Sequence, residues 1–440
     1  MTSQRNAITA GAAGAAGLAT AGAWWFRGGA PEFTPDASFP NRLRVPGTDA
    51  LYGVLDIAGA FTISSKGVTQ EILPGKSAAM LAYEVVYQGK KLLNPLMRLR
   101  TGAKVNATLQ NGLEEMSIIH WHGLKVDGKN DGHPHFAVAG GAKYEYNFTV
   151  PNRAATYWYH PHPHHLTSKQ VYLGLGGLFI VEDEEELAMQ KALDLALGAT
   201  DIPLVLHDRR IDDQGQLVFK PTDDEKADVF LGSQVLVNWT PKPYFEAATR
   251  LYRFRVLNAS NARVYKLAFR TEGGDQLLYF QLIGTDGGLI DRPRKISEVF
   301  LSPSERVDVL LYLRNAKVGD AITSVSVAFD AMEHEDGPPA GNKPADTPKA
   351  EKPAEQGGHA AHAAAASDAK AKADDKQPAT TAEAKSDIPE IGEAQDLMRI
   401  HVRRKEPYTR TVPETLSRIM PINALCGTAR VIKLDHVKMV

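Results

Sequence analysis

Two short segments place imidazole side chains at alternate positions. His120-Trp121-His122-Gly123 is followed further along by Tyr157-Trp158-Tyr159-His160-Pro161-His162-Pro163-His164-His165, so six of the fourteen histidines fall in two stretches rich in aromatic residues. On a β-strand, residues i and i+2 project from one face, and at a rise of about 3.3 Å per residue their Cα atoms lie roughly 6–7 Å apart. That gap suits neighbouring metal ions, and burying several unpaired imidazoles without a metal would be costly. A single histidine is usually an ordinary core or surface residue; the pairing within strand-like text sets these apart. Neutral imidazole suits copper, zinc, iron or nickel, whereas calcium or magnesium would want clustered oxygen ligands. The spacing alone leaves the metal open.

At 440 residues the chain is long enough for several hydrophobic cores. A formal net charge of -2 gives no basic field for nucleic acid or an anionic membrane surface. One cysteine, Cys426, excludes an intrachain disulfide framework and a thiolate-rich zinc or iron–sulfur site, so metal ligation must rest on histidine. Residues 1–28 read as an export signal: after Arg5 comes an uncharged run dominated by Ala and Gly, with small-residue sites such as Ala19-Thr20-Ala21. The run is too weakly apolar for a good membrane anchor, and no membrane span is expected in the mature protein. Its mild hydrophobicity suits twin-arginine export, although Ser3-Gln4-Arg5-Asn6 has one arginine where that signal wants two.

The text of residues 51–181 is strand-like, with short apolar runs broken by Gly, Pro and Asn. Residues 143–150 alternate polar and apolar as a half-buried strand does, and Gly176-Gly177-Leu178-Phe179-Ile180-Val181 reads as a buried strand closing a first unit. The acidic run Glu182-Asp183-Glu184-Glu185-Glu186 reads as a solvated connector, because adjacent carboxylates repel one another. Further strands in residues 202–332 predict a second all-β unit, and the spacing favours antiparallel sandwiches over βα units. Residues 333–389 are Ala, Lys, Asp, Glu, Pro and Gly with almost no large apolar residue, so they read as a disordered linker; His334, His359 and His362 lie in it. Strand-like text resumes at Leu397-Met398-Arg399-Ile400-His401-Val402.

At this point the residues match a family. His120-Trp121-His122-Gly123 together with Trp158-Tyr159-His160-Pro161-His162 resembles the first two copper signatures of the three-domain bacterial multicopper oxidases, the laccases and cuprous oxidases. Gln170-Val171-Tyr172-Leu173-Gly174-Leu175-Gly176-Gly177-Leu178 looks like the strand closing their first domain. Asn258-Ala259-Ser260-Asn261-Ala262-Arg263, Gly284-Thr285-Asp286-Gly287-Gly288 and Leu301-Ser302-Pro303-Ser304-Glu305-Arg306 look like signatures of their second. The resemblance implies an all-β fold of tandem cupredoxin-like Greek-key β-sandwiches: domain one at 39–185, domain two at 200–332, and a third, incomplete one at 390–440. It also implies a trinuclear copper cluster that reduces dioxygen to water with electrons from a phenol or metal ion. Carried over, His120 would hold the type 2 copper, His122 and His160 one type 3 copper, and His162 the other. Asp131 matches an acidic residue that relays protons to the cluster; the plainer alternative is a turn aspartate. Gly123 would permit close packing behind the ligands and Trp121 would wall the site in.

In the family, the remaining cluster ligands and the type 1 copper come from two C-terminal motifs, His-x-x-His-x-His and one containing His-Cys-His, and neither occurs here. Cys426 stands in Ala424-Leu425-Cys426-Gly427 and reads as a small core residue, and His436 matches no ligand position. The expectation is a C-terminally truncated chain holding half of one copper cluster and no type 1 site. Two other readings stay open. One is a non-enzymatic copper-binding or cell-envelope scaffold protein on the same fold. The other is a binuclear zinc hydrolase, since His160-x-His162-x-His164-His165 faintly echoes a His-x-His-x-Asp-His motif, although it would leave His120 and His122 unexplained.

Overall fold

The computed structural model describes residues 33–46, 52–274, 276–331 and 388–419, which fold as two β-sandwiches packed side by side. In the first, one sheet runs Lys90–Leu93, Lys76–Tyr87, Phe61–Leu73, Lys104–Asn111, Lys143–Thr149. The facing sheet runs Val54–Asp56, Leu96–Arg100, Gly177–Glu182, Ala155–Pro161, Ile119–His122. Strand Lys143–Thr149 shows why this pattern folds as it does: Tyr146 and Phe148 turn into the core while Lys143, Glu145 and Asn147 stay exposed. No helix among the described residues is long and apolar enough to cross a membrane.

The second sandwich pairs a seven-stranded sheet, built around Asp201–Arg209, Leu251–Asn258 and Arg306–Tyr312, with a six-stranded one. The six-stranded sheet corrects the sequence reading twice. Gln395–Arg404, expected to open a third sandwich, lies between Pro243–Ala248 and Ala321–Ser326, with Leu397, Met398, Ile400 and Val402 in the second core. Asn41–Arg42, expected in the first sandwich, pairs in parallel with Pro243–Ala248. The apolar alternation in both segments is genuine, but alternation records that a strand is half-buried and not which sheet receives it. The sheets are also mixed rather than antiparallel: Phe61–Leu73 pairs in parallel with Lys104–Asn111, Leu96–Arg100 with Gly177–Glu182, and Asp201–Arg209 with Leu251–Asn258. The export signal, nearly all of the 333–389 linker, Cys426 and His436 lie outside the described residues.

Two layers join the sandwiches. One is apolar: Trp158, Leu178, Ile180 and Leu96 from the first meet Val205, Leu236, Trp239 and Leu257 from the second. The other is ionic, and it overturns the reading of the acidic run as a solvated connector. Asp183 caps the helix Glu184–Leu193, accepting from the backbone N–H of Glu186, and turns the Glu186 side chain inward to 1% exposure. There Glu186 Oε1 accepts from Arg253 at 2.5 Å and Arg255 at 2.6 Å. Asp201 takes Arg255 with both oxygens at 2.8 Å, and Asp308 receives Arg253 and the hydroxyl of Thr156. Burial pushes the Glu186 carboxyl up, but the two guanidinium groups outweigh it and hold it down to about 2.

Removing one partner of such a buried set leaves charge uncompensated, at a cost of about 3–5 kcal/mol. Glu186→Gln is therefore expected to lower stability to urea by about that order. The folded carboxyl titrates below its ordinary 4.5, so its contribution is present above that pH and lost as pH falls towards 2. The variant should lack this part of the acid limb; equal urea midpoints at neutral pH would refute the assignment.

Candidate metal centre

The site grows out of one strand register. Ile119–His122 is the edge strand of its sheet and runs antiparallel to Ala155–Pro161, with His120 opposite His160 and His122 opposite Trp158. Alternation then divides the residues between two faces. Ile119 and Trp121 enter the sandwich core, while His120 and His122 project from the other face, half-buried. His162 follows the strand, its backbone N–H donating to Ile118 O at 3.1 Å. His120 has its ring centroid 5.3 Å from that of His122, 5.2 Å from His160 and 5.4 Å from His162. One ligand nitrogen each from His120, His122 and His160 lies within 4.8 Å of the others.

Backbone carbonyls orient the rings. His120 Nδ1 donates to Asp131 O at 2.5 Å and His160 Nδ1 to Pro161 O at 2.9 Å, which puts the lone pair of each ring on Nε2, that of His160 in hydrogen-bond contact with His122. His160 Nε2 stands 3.1 Å from His122 Nδ1. Two nitrogens bound to one ion at about 2.0–2.1 Å each sit roughly 3 Å apart, so this pair already has the separation of two ligands on one metal. His162 Nδ1 is buried without a hydrogen-bond partner among the described residues. Burial drives His160 well below its ordinary range, and burial with the Arg306 cation brings His122 down to about 3. His120 is also lowered by burial, partly offset by the Asp131 carbonyl. At neutral pH these three rings are neutral, the form that binds metal. An all-nitrogen donor set of this kind fits copper and does not fit calcium or magnesium.

The supporting residues differ in part from the sequence reading. Trp121 is on the wrong face to wall the site; it packs in the core against Tyr146, Phe148, Tyr159 and Phe179. Trp158 does that work, with its ring 4.2 Å from His160 and 5.5 Å from His122. The signal was present in the sequence, since Trp158 is two residues from His160 and so shares its face. Gly123 has φ +90°, and a Cβ there would meet Tyr157 at 2.9 Å and Arg306 Nη2 at 3.0 Å. Gly132, with φ +80°, is tighter: its Cβ would fall 2.0 Å from Ile119 O, so only glycine lets the Asp131 loop lie against His120. The Asp131 carboxylate is 3.4 Å from His120 Nδ1 and 43% exposed. Arg306 comes from the second sandwich and donates to Thr156 O at 3.0 Å; it ends the segment 301–306 singled out in the sequence, but nothing in that segment indicates a contact with the first sandwich. His164 and His165 are exposed, as are His133 and half of the loop around it, and none of them belongs to the ring cluster.

Comparison with known proteins gives the chain its family. Residues 75–186 match the family model described as multicopper oxidase. The chain is 33% identical over 258 residues to the multicopper oxidase mco of Staphylococcus aureus, covering 59% of this chain and 54% of that one. It is 32% identical over 219 residues to the cell division protein FtsP of Photorhabdus laumondii, covering 50% and 44%. The chain thus spans about half the length of these curated relatives. The crystal structure of McoA multicopper oxidase from the hyperthermophile Aquifex aeolicus superposes with a TM-score of 0.69 at 34% identity, over 87% of this chain and 69% of that one. With two cupredoxin-like sandwiches, an all-imidazole centre at the sheet edge and this extent of likeness, the chain belongs to the multicopper oxidase family.

Proposed function

We propose that this chain serves a copper-dependent oxidase reaction, in which one-electron oxidation of phenols or metal ions is coupled to reduction of dioxygen to water. The observation that carries the reading is the convergence of His122 Nδ1 and His160 Nε2 at 3.1 Å inside a four-ring cluster. His120 would hold the type 2 copper, His122 and His160 one type 3 copper, and His162 the other. Copper held by imidazole would supply accessible one-electron chemistry and a binding place for dioxygen. The protein's own part is to keep the rings neutral by burial, to fix His120 through the Asp131 carbonyl, and to cover His122 and His160 with Trp158. The Asp131 carboxylate, close to His120 and open to water, serves as the proton relay. These residues make up half of the trinuclear site; the motifs for the other half and for a type 1 site do not occur in the 440 residues. The Ala- and Gly-rich N-terminal run supports export to the periplasm or cell surface.

The likeness to FtsP favours a second reading, a cell-envelope scaffold on the same fold that has no need of turnover. Family membership and the gathering of His120 and His122 with His160 and His162 count against the zinc hydrolase reading.

Replacing His120, His122, His160 and His162 together by alanine is expected to abolish copper retention after dialysis, measured as metal content; equal retention would sink the assignment. Gly132→Ala should displace Asp131 from His120 and weaken copper affinity by about 10–100-fold, read by titration against a chelator. Unchanged affinity would show that the loop does not support the ligand. Copper-loaded chain should lack the intense blue thiolate-to-copper band and sustain no oxygen uptake with a phenolic donor. Observation of both, lost in His160→Ala, would mean that a partner chain supplies the remaining ligands.

A further inference from the structure

The face of strand Ile119–His122 opposite the histidines begins a row of oxidisable rings. Trp121, held between two of the proposed ligands, has its ring 5.5 Å from Tyr146, and Tyr146 lies 5.0 Å from Tyr144. Trp121 and Tyr146 are 0% and 1% exposed, whereas the Tyr144 hydroxyl reaches the surface and donates to Lys129 O at 2.6 Å. A second branch, from Trp121 to Tyr159 at 5.9 Å and on to Tyr83 at 5.5 Å, ends inside the core, where both tyrosines are 0% exposed. Only the branch through Tyr146 leads out.

We propose that Trp121, Tyr146 and Tyr144 form an escape route that carries oxidising equivalents from the copper face to the protein surface. The proposal rests on the copper-site reading above. Reduction of hydrogen peroxide, the product of incomplete dioxygen reduction, to two waters takes two electrons and two protons. With a singly reduced site only one electron is on hand there, and the second comes from Tyr144 by way of Tyr146 and Trp121. The protonation chemistry gives the transfer its direction. The indole N–H of Trp121 has no hydrogen-bond partner among the described residues. The Tyr146 hydroxyl donates at 3.0 Å to Ile119 O, a carbonyl too weak a base to take the proton. An electron vacancy therefore has no stable resting place on either buried ring. The Tyr144 hydroxyl also donates to a carbonyl, that of Lys129, but it does so at the surface, where bulk water can take the proton, so the vacancy settles there as a neutral tyrosyl radical. A solution thiol then returns one hydrogen atom, which restores the electron and the proton.

The test uses the full copper-loaded chain, treated with ascorbate and hydrogen peroxide. It is read by freeze-quench electron paramagnetic resonance and by mass mapping of oxidised residues. The native chain is expected to give a tyrosyl signal, with Tyr144 the main oxidised residue of the three. Tyr144→Phe keeps the ring against Tyr146 and Phe136, so the fold should stand. In that variant the signal should be lost, and oxidation of Trp121 and Tyr146 should rise severalfold. Added glutathione should protect the native chain and fail to protect the variant. The same signal and the same Trp121 oxidation in both copper-loaded proteins would overturn the route while leaving the copper site standing. Failure of the native chain to take up copper would instead refute the copper reading, and this route with it.

Discussion

The pairing of Ile119–His122 with Ala155–Pro161 is the constraint on which the rest depends. A slip of one residue would send every side chain to the opposite face: the imidazoles would enter the sandwich core and Trp121 would face the second sandwich. The register is held from both sides of the sheet. In the core, the Tyr146 hydroxyl accepts from Ile119 N at 2.8 Å and donates to Ile119 O at 3.0 Å, pinning the edge strand at the residue before His120. On the other face Gly132 admits the Asp131 loop against the His120 backbone. An edge strand is ordinarily the least constrained of a sheet, and here it is braced by a buried hydroxyl and a close-packed loop.

The same sheet face performs two tasks that share one physical cause. Where Leu178, Ile180 and Leu96 cover it, it is the interface with the second sandwich; where the histidines stand, it is the candidate metal centre. Trp158 belongs to both, filling the apolar junction while lying along His160 and His122. Removing water from the junction stabilises the sandwiches against each other, and it also depresses the proton affinity of the imidazoles beside it. Arg306 adds to the second effect. Its guanidinium crosses from the second sandwich to Thr156 O and sets a positive charge near His122. Docking of the two sandwiches and readiness of the ligands are thus coupled through desolvation.

What was legible in the sequence followed from periodicity. The His-x-His pairs, the alternation of 143–150 and the buried run 176–181 each encode one face of one strand, and the structure has those strands. What was illegible depended on distant partners. Gln395–Arg404 has the alternation of any half-buried strand, and the choice of the second sandwich lies in its contacts with Pro243–Ala248 and Ala321–Ser326. Glu186 looked like one solvated carboxylate among several because Arg253 and Arg255, which take it inside, stand far along the chain. A local signal was nevertheless available there. Asp183 and Glu186 have the spacing of a helix N-cap and its third residue, which favours a helix start over a connector. For Trp121, closeness along the chain is not closeness in space: period two puts it behind the four histidines and Trp158 beside them.

The strand that presents the ligands thus separates two environments of opposite character. On one side are neutral imidazoles converging on a metal position, half open to water. On the other is a dense aromatic core whose polar atoms include an unpartnered indole N–H at Trp121 and an unpartnered hydroxyl at Tyr83. A core of leucine and valine would bury comparable apolar area without orphaning those groups, each of which costs about 1–3 kcal/mol when left unpaired. Of the two orphans only Trp121 stands on the proposed route; Tyr83 lies on the branch that ends in the core, and Tyr146 and Tyr144, both hydrogen-bonded, continue the ring contacts from the Ile119–His122 strand to the surface.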